Sequence, residues 1–147
     1  MLSQTAEYAL RAMVHLAMRG ETLATTVDIA DATKVPAGYL SKVMQSLARA
    51  NLVHSQRGLG GGFNLARPAD QITALEVINA VDPIKRIERC PLGLDEHRDQ
   101  LCPLHRRIDQ MIATVESTFR STTIEEMALT SRSKKLCQFP AAPPGKS

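Results

Sequence analysis

The apolar positions fall into helical spacing from the start of the chain. In "SQTAEYALRAMVHLAMRG", Ala6, Ala9, Leu10, Met13, Val14 and Ala17 share one stripe at intervals of three and four. Ser3 or Thr5 is placed to cap this helix and Gly20 to stop it. "TTVDIADATKV" predicts a short second helix, capped by Thr25 or Thr26, with Ile29 and Ala30 inward. Pro36 suits the first turn of a third helix, "PAGYLSKVMQSLARAN". That helix buries Leu40, Val43, Met44 and Leu47, exposes Tyr39, Ser41, Lys42, Gln45 and Arg49, and stops near Asn51.

The period changes after Asn51. "LVHSQRG" and "GFNLAR" are short extended runs around "GLGGG", which predicts a hairpin with a Gly-rich tip. Thr73 with Glu76 three residues on forms a capping box and opens a fourth helix. A long amphipathic helix follows from about Pro103 to Phe119, striped by Leu104, Ile108, Met111, Ile112, Val115 and Phe119. "TIEEMAL" predicts a final short helix, and the Lys-, Ser- and Pro-rich residues from about Ser131 read as a disordered tail. The fold class is mainly α with a small β-hairpin and a long C-terminal helix. The pattern divides the chain at about residues 82, 102 and 130.

Composition narrows this. A chain of 147 residues suits one domain, or one with a helical arm. Hydrophobic residues make up 44% and aromatics only 3%, with no Trp, so the core is aliphatic and leans towards helices. The net charge of +3 and pI of about 8.9 are too mild to establish a polyanion partner. The distribution says more: from Lys34 to Arg67 there is no Asp or Glu, against the cations Lys34, Lys42, Arg49, Arg57 and Arg67. Such a one-sign patch suits phosphate, although an ordinary solvated basic face has the same composition. Glu7 and Arg11 interrupt the first apolar segment, which argues against a secretory signal, and no run reaches membrane-spanning length. These features place the protein in the cytoplasm, with no membrane partner. Three cysteines cannot all pair internally, so in a reducing compartment they read as metal or redox groups, or as inert buried thiols.

Three short helices followed by a hairpin is the winged helix-turn-helix order. The second helix braces the third, and the third enters the major groove. Tyr39, Ser41, Lys42 and Gln45 lie on its outward face, where side chains reach bases or phosphates. A core helix with a polar back is the plainer reading. In "SQRGLGGGFNLARP", a nucleotide-binding loop would need a following helix or a P-loop lysine, and a strand follows instead. A thin wing with Arg57 at its base, and Gly60 and Gly61 close to DNA, fits better, because a narrow minor groove attracts Arg.

"YLSKVMQSLARANLVHSQRGLGGGFNLARPADQITALEVINAV" resembles the Rrf-type family of bacterial winged-helix regulators, which includes IscR, NsrR and CymR. The likeness runs from "TAEYALRAM" to the helix after Pro103, and its most specific part is the third helix followed by "RGLGGGF". The resemblance implies a winged helix-turn-helix DNA-binding domain over 1–82 that binds a double-stranded DNA operator with dyad symmetry, a sensor loop over 83–102, a homodimer held by the long C-terminal dimerisation helix region over 103–130, and a disordered tail over 131–147. Many members hold an iron–sulfur cluster in the sensor loop with three cysteines. In "CPLGLDEHRDQLCPLH", Cys90 and Cys102 match the outer two, while Glu96 and His97 stand near the expected middle position. His105 matches a fourth ligand of some members, and Glu7 a carboxylate donated across the dimer. The resemblance therefore leaves a 2Fe–2S cluster on Cys90, Cys102, His105 and Glu7, since His can replace Cys on iron. Zinc on a mixed Cys/His set, or no metal, stays open. Cys137 lies beside Lys134 and Lys135 and reads as no ligand; His15, His54 and His97 read as structural or loop residues.

The reading is thus a DNA-binding transcription regulator, a repressor and not an enzyme, sensing redox state, nitric oxide or iron–sulfur status. The alternative is a cluster-free regulator or protein-interaction module controlled by a partner protein or by thiol oxidation. No Ser/His/Asp or Walker arrangement supports an enzyme.

Overall fold

The computed structural model describes residues 2–97 and 100–134, with the side chains of 97 and 131–134 left aside. Cys137 and residues 135–147 of the expected tail lie outside the described residues, as does the side chain of His97.

Helix α1 spans Gln4–Arg19, with Ser3 Oγ accepting the Ala6 N–H at 3.1 Å and Gly20 ending it at φ 68°. Helix α2, Thr26–Thr33, is capped by Thr25 in a reciprocal box with Asp28. Ser3 and Thr25, and not Thr5 and Thr26, are thus the caps. Thr33 is a buried polar residue of the core, and its hydroxyl donates to the Ile29 carbonyl at 2.6 Å, so burial costs little. Helix α3, Ala37–Arg49, starts just after Pro36 and buries Leu40, Val43, Met44 and Leu47, as its spacing predicts. Asn51 takes a left-handed φ of 57°, which releases the chain into the hairpin.

Strands β1 (Val53–Gln56) and β2 (Gly62–Leu65) pair antiparallel, with Val53 opposite Leu65 and Gln56 opposite Gly62. Ala24, in the turn between α1 and α2, exchanges two backbone hydrogen bonds with Phe63, at 3.0 and 2.8 Å. The hairpin is therefore stitched to the helical domain, which its own sequence did not announce. Two glycines allow close approaches here, Gly61 within the hairpin and Gly62 at the Ala24 attachment. A Cβ on Gly61 would meet the Gln56 carbonyl oxygen at 2.2 Å, and one on Gly62 the Ala24 carbonyl oxygen at 2.7 Å. Gly60, at the tip, has φ +75° and open space around it.

Helix α4, Ala74–Val81, carries the expected Thr73–Glu76 box. Helix α5, Pro103–Ser121, and α6, Ile124–Lys134, follow the loop. Helix α6 runs past Ser131, where the tail was expected to begin. It packs on α1, and Ile124 is fully buried beside Ile72 through the backbone pairing of Ile124 N–H to the Ile72 carbonyl at 2.9 Å. The chain after the long helix thus returns to the N-terminal core. That core is aliphatic: Met13, Leu16, Ile29, Leu40, Met44, Leu47, Leu52 and Ile78 are all buried. His15 Nε2 is buried without a hydrogen-bond partner among the described residues, and burial, aided by Arg19, pushes its imidazole below the ordinary range against a smaller opposing pull from Asp28.

Candidate DNA-reading face and sensor loop

The outward face of α3 presents Lys42, Gln45 and Arg49 to solvent. Ser41 is half-buried, and its hydroxyl donates to the Ala37 carbonyl at 3.1 Å, so its proton is already committed within the helix. Tyr39 is 42% exposed, yet its hydroxyl lies 2.6 Å from Thr5 Oγ1 of α1. Arg57 is exposed directly after β1, at the base of the wing, and Leu59 stands out fully at the tip. Of the five cations in the acid-free span, Arg67 is partly exposed and pairs with an acid from outside the span. It donates to Glu76 at 2.8 Å across the start of α4. Burial pushes the Glu76 carboxyl up, but the Thr73 N–H and Arg67 outweigh it and hold the group below its ordinary value. A span free of acids in sequence is therefore not free of them in space.

The loop after α4 is tied to α5 by charge. Arg86 donates through Nε at 2.7 Å and Nη2 at 2.6 Å to Asp109, which also accepts the Ile87 N–H at 2.9 Å. Glu116, two turns further along α5, approaches Arg86 at 3.5 Å. Neither Arg86 nor Asp109 carries a spacing signal, because they stand 23 residues apart. Beyond this latch the loop turns at Gly93, whose N–H donates to the Cys90 carbonyl at 3.0 Å.

Cys102 is the N-cap of α5. Its Sγ accepts the His105 N–H at 3.5 Å and lies 3.1 Å from His105 Nδ1. Pro103, lacking an N–H, fits the first helical position. Glu96, Gln100, Cys102, Arg106, Arg107 and Gln110 line an open recess of about 650 Å³ here. Cys90 is half-buried, and neither cysteine is in a disulfide. Of the four expected ligands, the fold brings together Cys102 and His105. Glu7 on α1 is instead held by Arg11 at 2.6 Å. Among the described residues, no three His, Cys, Asp or Glu side chains gather closely enough to hold a metal ion within one chain. A pair of donors falls short of the four that a 2Fe–2S cluster takes, so the single chain as it stands does not fit that group.

Helix α5 buries none of its residues. Leu104, Ile108 and Met111 are 64%, 39% and 67% exposed, while Phe119 packs against the core. Beside the stripe lies an apolar groove of about 440 Å³, floored by Ala6, Ile78 and Ile84 and walled by Ile108, Ile112 and Val115.

The sequence model of the Rrf2 family, described as iron-dependent transcriptional regulator, matches residues 2–130. The chain belongs to the Rrf2 family. A protein of Aquifex aeolicus (strain VF5), named provisionally as an HTH-type transcriptional regulator, is 32% identical over 85% of this chain and 89% of its own. The HTH-type transcriptional regulator IscR of Cereibacter sphaeroides is 37% identical over 55% of this chain and 54% of its own. Among solved structures, CymR (YrzC), the global cysteine regulator of B. subtilis, superposes with a TM-score of 0.74 at 28% identity, covering 88% of this chain and 97% of that one. T. potens IscR shares the fold with a TM-score of 0.76 at 22% identity, over 95% of this chain and 93% of its own. This Rrf2 protein is accordingly a DNA-binding transcription regulator with a winged helix-turn-helix, and not an enzyme. Among the described residues no helix is long and apolar enough to cross a membrane.

Proposed function

We propose that this Rrf2 protein is a cytoplasmic homodimeric repressor whose operator affinity is set by the chemical state of the loop holding Cys90 and Cys102. The observation that carries the reading is the contact of Cys102 Sγ with His105 at the first turn of α5. That pair sits where the loop becomes the helix bearing the uncovered apolar stripe, so a change at sulfur is felt at the dimer seam. The operator is double-stranded DNA with dyad symmetry, its half-sites about one helical turn apart. Lys42 and Gln45 of α3, Arg57 of the wing and the backbone at Gly60 make the contacts; Tyr39, Ser41 and Gly61 contribute less directly, given their engagement within the protein. A 2Fe–2S cluster in this loop needs ligands beyond one chain's Cys102–His105 pair: Cys90 moved inward, and Glu7 of the partner subunit released from Arg11.

The second reading dispenses with the cluster. Cys90 and Cys102 act as redox thiols, or a partner protein sets the response. The gathering of only two donors, and the likeness to CymR, favour it. Anaerobic reconstitution with iron and sulfide, followed by metal analysis and a visible spectrum, separates the two. Uptake lost in Cys90→Ala and Cys102→Ala supports the cluster; no uptake by the wild type leaves the thiol reading.

A further inference from the structure

Two residues other than glycine take a left-handed backbone among the described residues, Asn51 at φ 57° and Lys34 at φ 59°. Asn adopts that conformation readily, whereas the Cβ of a lysine there crowds the following carbonyl. Lys34 ends α2, at a place where glycine is the usual residue. Its neighbours account for the turn. Thr33 is buried with its hydroxyl on the Ile29 carbonyl, and Val35 is 3% exposed. With both flanks anchored inward, the chain reverses at Lys34 and leaves that residue exposed. Lys34 makes no ion pair among the described residues, unlike Arg11, Arg67 and Arg86. Glycine would make the same turn without strain and without charge, so what lysine adds at this position is its ammonium.

We propose that Lys34 is a phosphate anchor of the DNA complex, presented by the turn between α2 and α3 to the backbone beside the groove that α3 enters. This rests on α3 being the helix that reads DNA. In that arrangement α2 crosses the DNA backbone while the first residues of α3 approach the base edges, so the turn joining them lies at the rim of the groove. Lys34 stands just before α3 and opens the span to Arg67 that holds no Asp or Glu. A lysine is a point charge on a flexible stem, so on a phosphate it adds affinity and fixes register without preferring a sequence. The root of that stem is held by Thr33 and Val35, which limits the freedom lost on binding.

The experiment titrates the full-length protein and three variants against a duplex carrying its own promoter and against a mixed-sequence duplex of the same length. Salt runs from about 50 to 200 mM, and thermal unfolding is followed at one protein concentration. Lys34→Gly removes strain and charge, Lys34→Gln removes the charge alone, and Lys34→Arg keeps both. Lys34→Gly should raise the thermal midpoint by roughly 2–4 °C. It should nevertheless reduce the salt slope by about one ion, so the wild type loses about threefold more affinity than the variant across that range. Lys34→Gln should show the same reduced slope with no gain in midpoint, and Lys34→Arg should follow the wild type in both. The effect should be alike on the two duplexes, because phosphate is common to both. A stabler Lys34→Gly protein with the wild-type salt slope would make Lys34 a turn residue alone, and would overturn the anchor while leaving the DNA-reading face intact. Equal losses in Lys34→Arg and Lys34→Gln would overturn it too, since the charge would then not act. A Lys34→Gly protein no more stable than the wild type would overturn the argument from backbone strain. If the wild type binds neither duplex, the functional reading fails and the anchor with it.

Discussion

Arg86 grips Asp109 with two nitrogens, at 2.7 and 2.6 Å, and so fastens the stretch leading to Cys90 onto the middle of α5. Arg86, helped by the Ile87 N–H, holds the Asp109 carboxyl at about 2, below its ordinary 3.8. A carboxyl depressed on folding stabilises the folded form above its unfolded value, and that contribution fades as pH falls through the folded value. The latch's contribution is therefore full above about pH 4 and fades as pH falls through about 2. An NMR titration of the Asp109 carboxyl should give a midpoint near 2; a midpoint at the ordinary value would contradict the latch. Asp109→Asn should speed amide exchange across residues 84–90 with little change in global stability, because exposed ion pairs contribute little.

On the DNA face, Arg57→Ala should weaken operator binding by about 1–3 kcal/mol with the fold intact. Lys42→Ala should reduce the salt slope of binding by about one ion. Arg67→Ala should change that slope least, since Glu76 already pairs with it. Mobility-shift titrations at several salt concentrations read all three, and an Arg57→Ala protein of unchanged affinity removes the wing from the interface.

Gly61 is predicted to be intolerant for a reason inside the protein. A methyl group there meets the Gln56 carbonyl at 2.2 Å, so Gly61→Ala must shift the wing. Overpacking of this kind costs about 1–3 kcal/mol, and chemical denaturation should register it. Gly60→Ala meets open space and should be milder, limited by its φ of +75°. Equal stability of the two variants would contradict the wing geometry.

These cases show what the sequence could and could not reveal. Apolar spacing and the Thr73–Glu76 box were enough for every helix through α5, because core periodicity and local capping are short-range. The hairpin was legible from "GLGGG", but its attachment at Ala24 was not: a backbone bridge leaves no mark on residue type. At Arg67 the acid-free span meets an acid that sequence order hides, Glu76, nine residues on in sequence and adjacent in space. Of the candidate ligands, Cys102 and His105 stand one helical turn apart and meet, as spacing allows. Glu7 lies on another element, and its nearest cation, Arg11, was four residues away on the same helix throughout.

The uncovered stripe of α5 predicts self-association. Ile108→Asp with Ile112→Asp should convert a dimer into a monomer in sedimentation and abolish tight operator binding, because a symmetric seam places each charge opposite its copy. A wild-type protein that sediments as a monomer at micromolar concentration contradicts this.

The central claim is that the loop's sulfur chemistry sets DNA affinity. The direct measurement is the operator affinity of wild type and Cys102→Ala, each titrated as the anaerobic, iron- and sulfide-treated protein and again after oxidation. The account predicts a shift of roughly 5- to 150-fold for the wild type, corresponding to about 1–3 kcal/mol of coupling. For Cys102→Ala it predicts none. A wild-type affinity indifferent to both treatments would contradict the account.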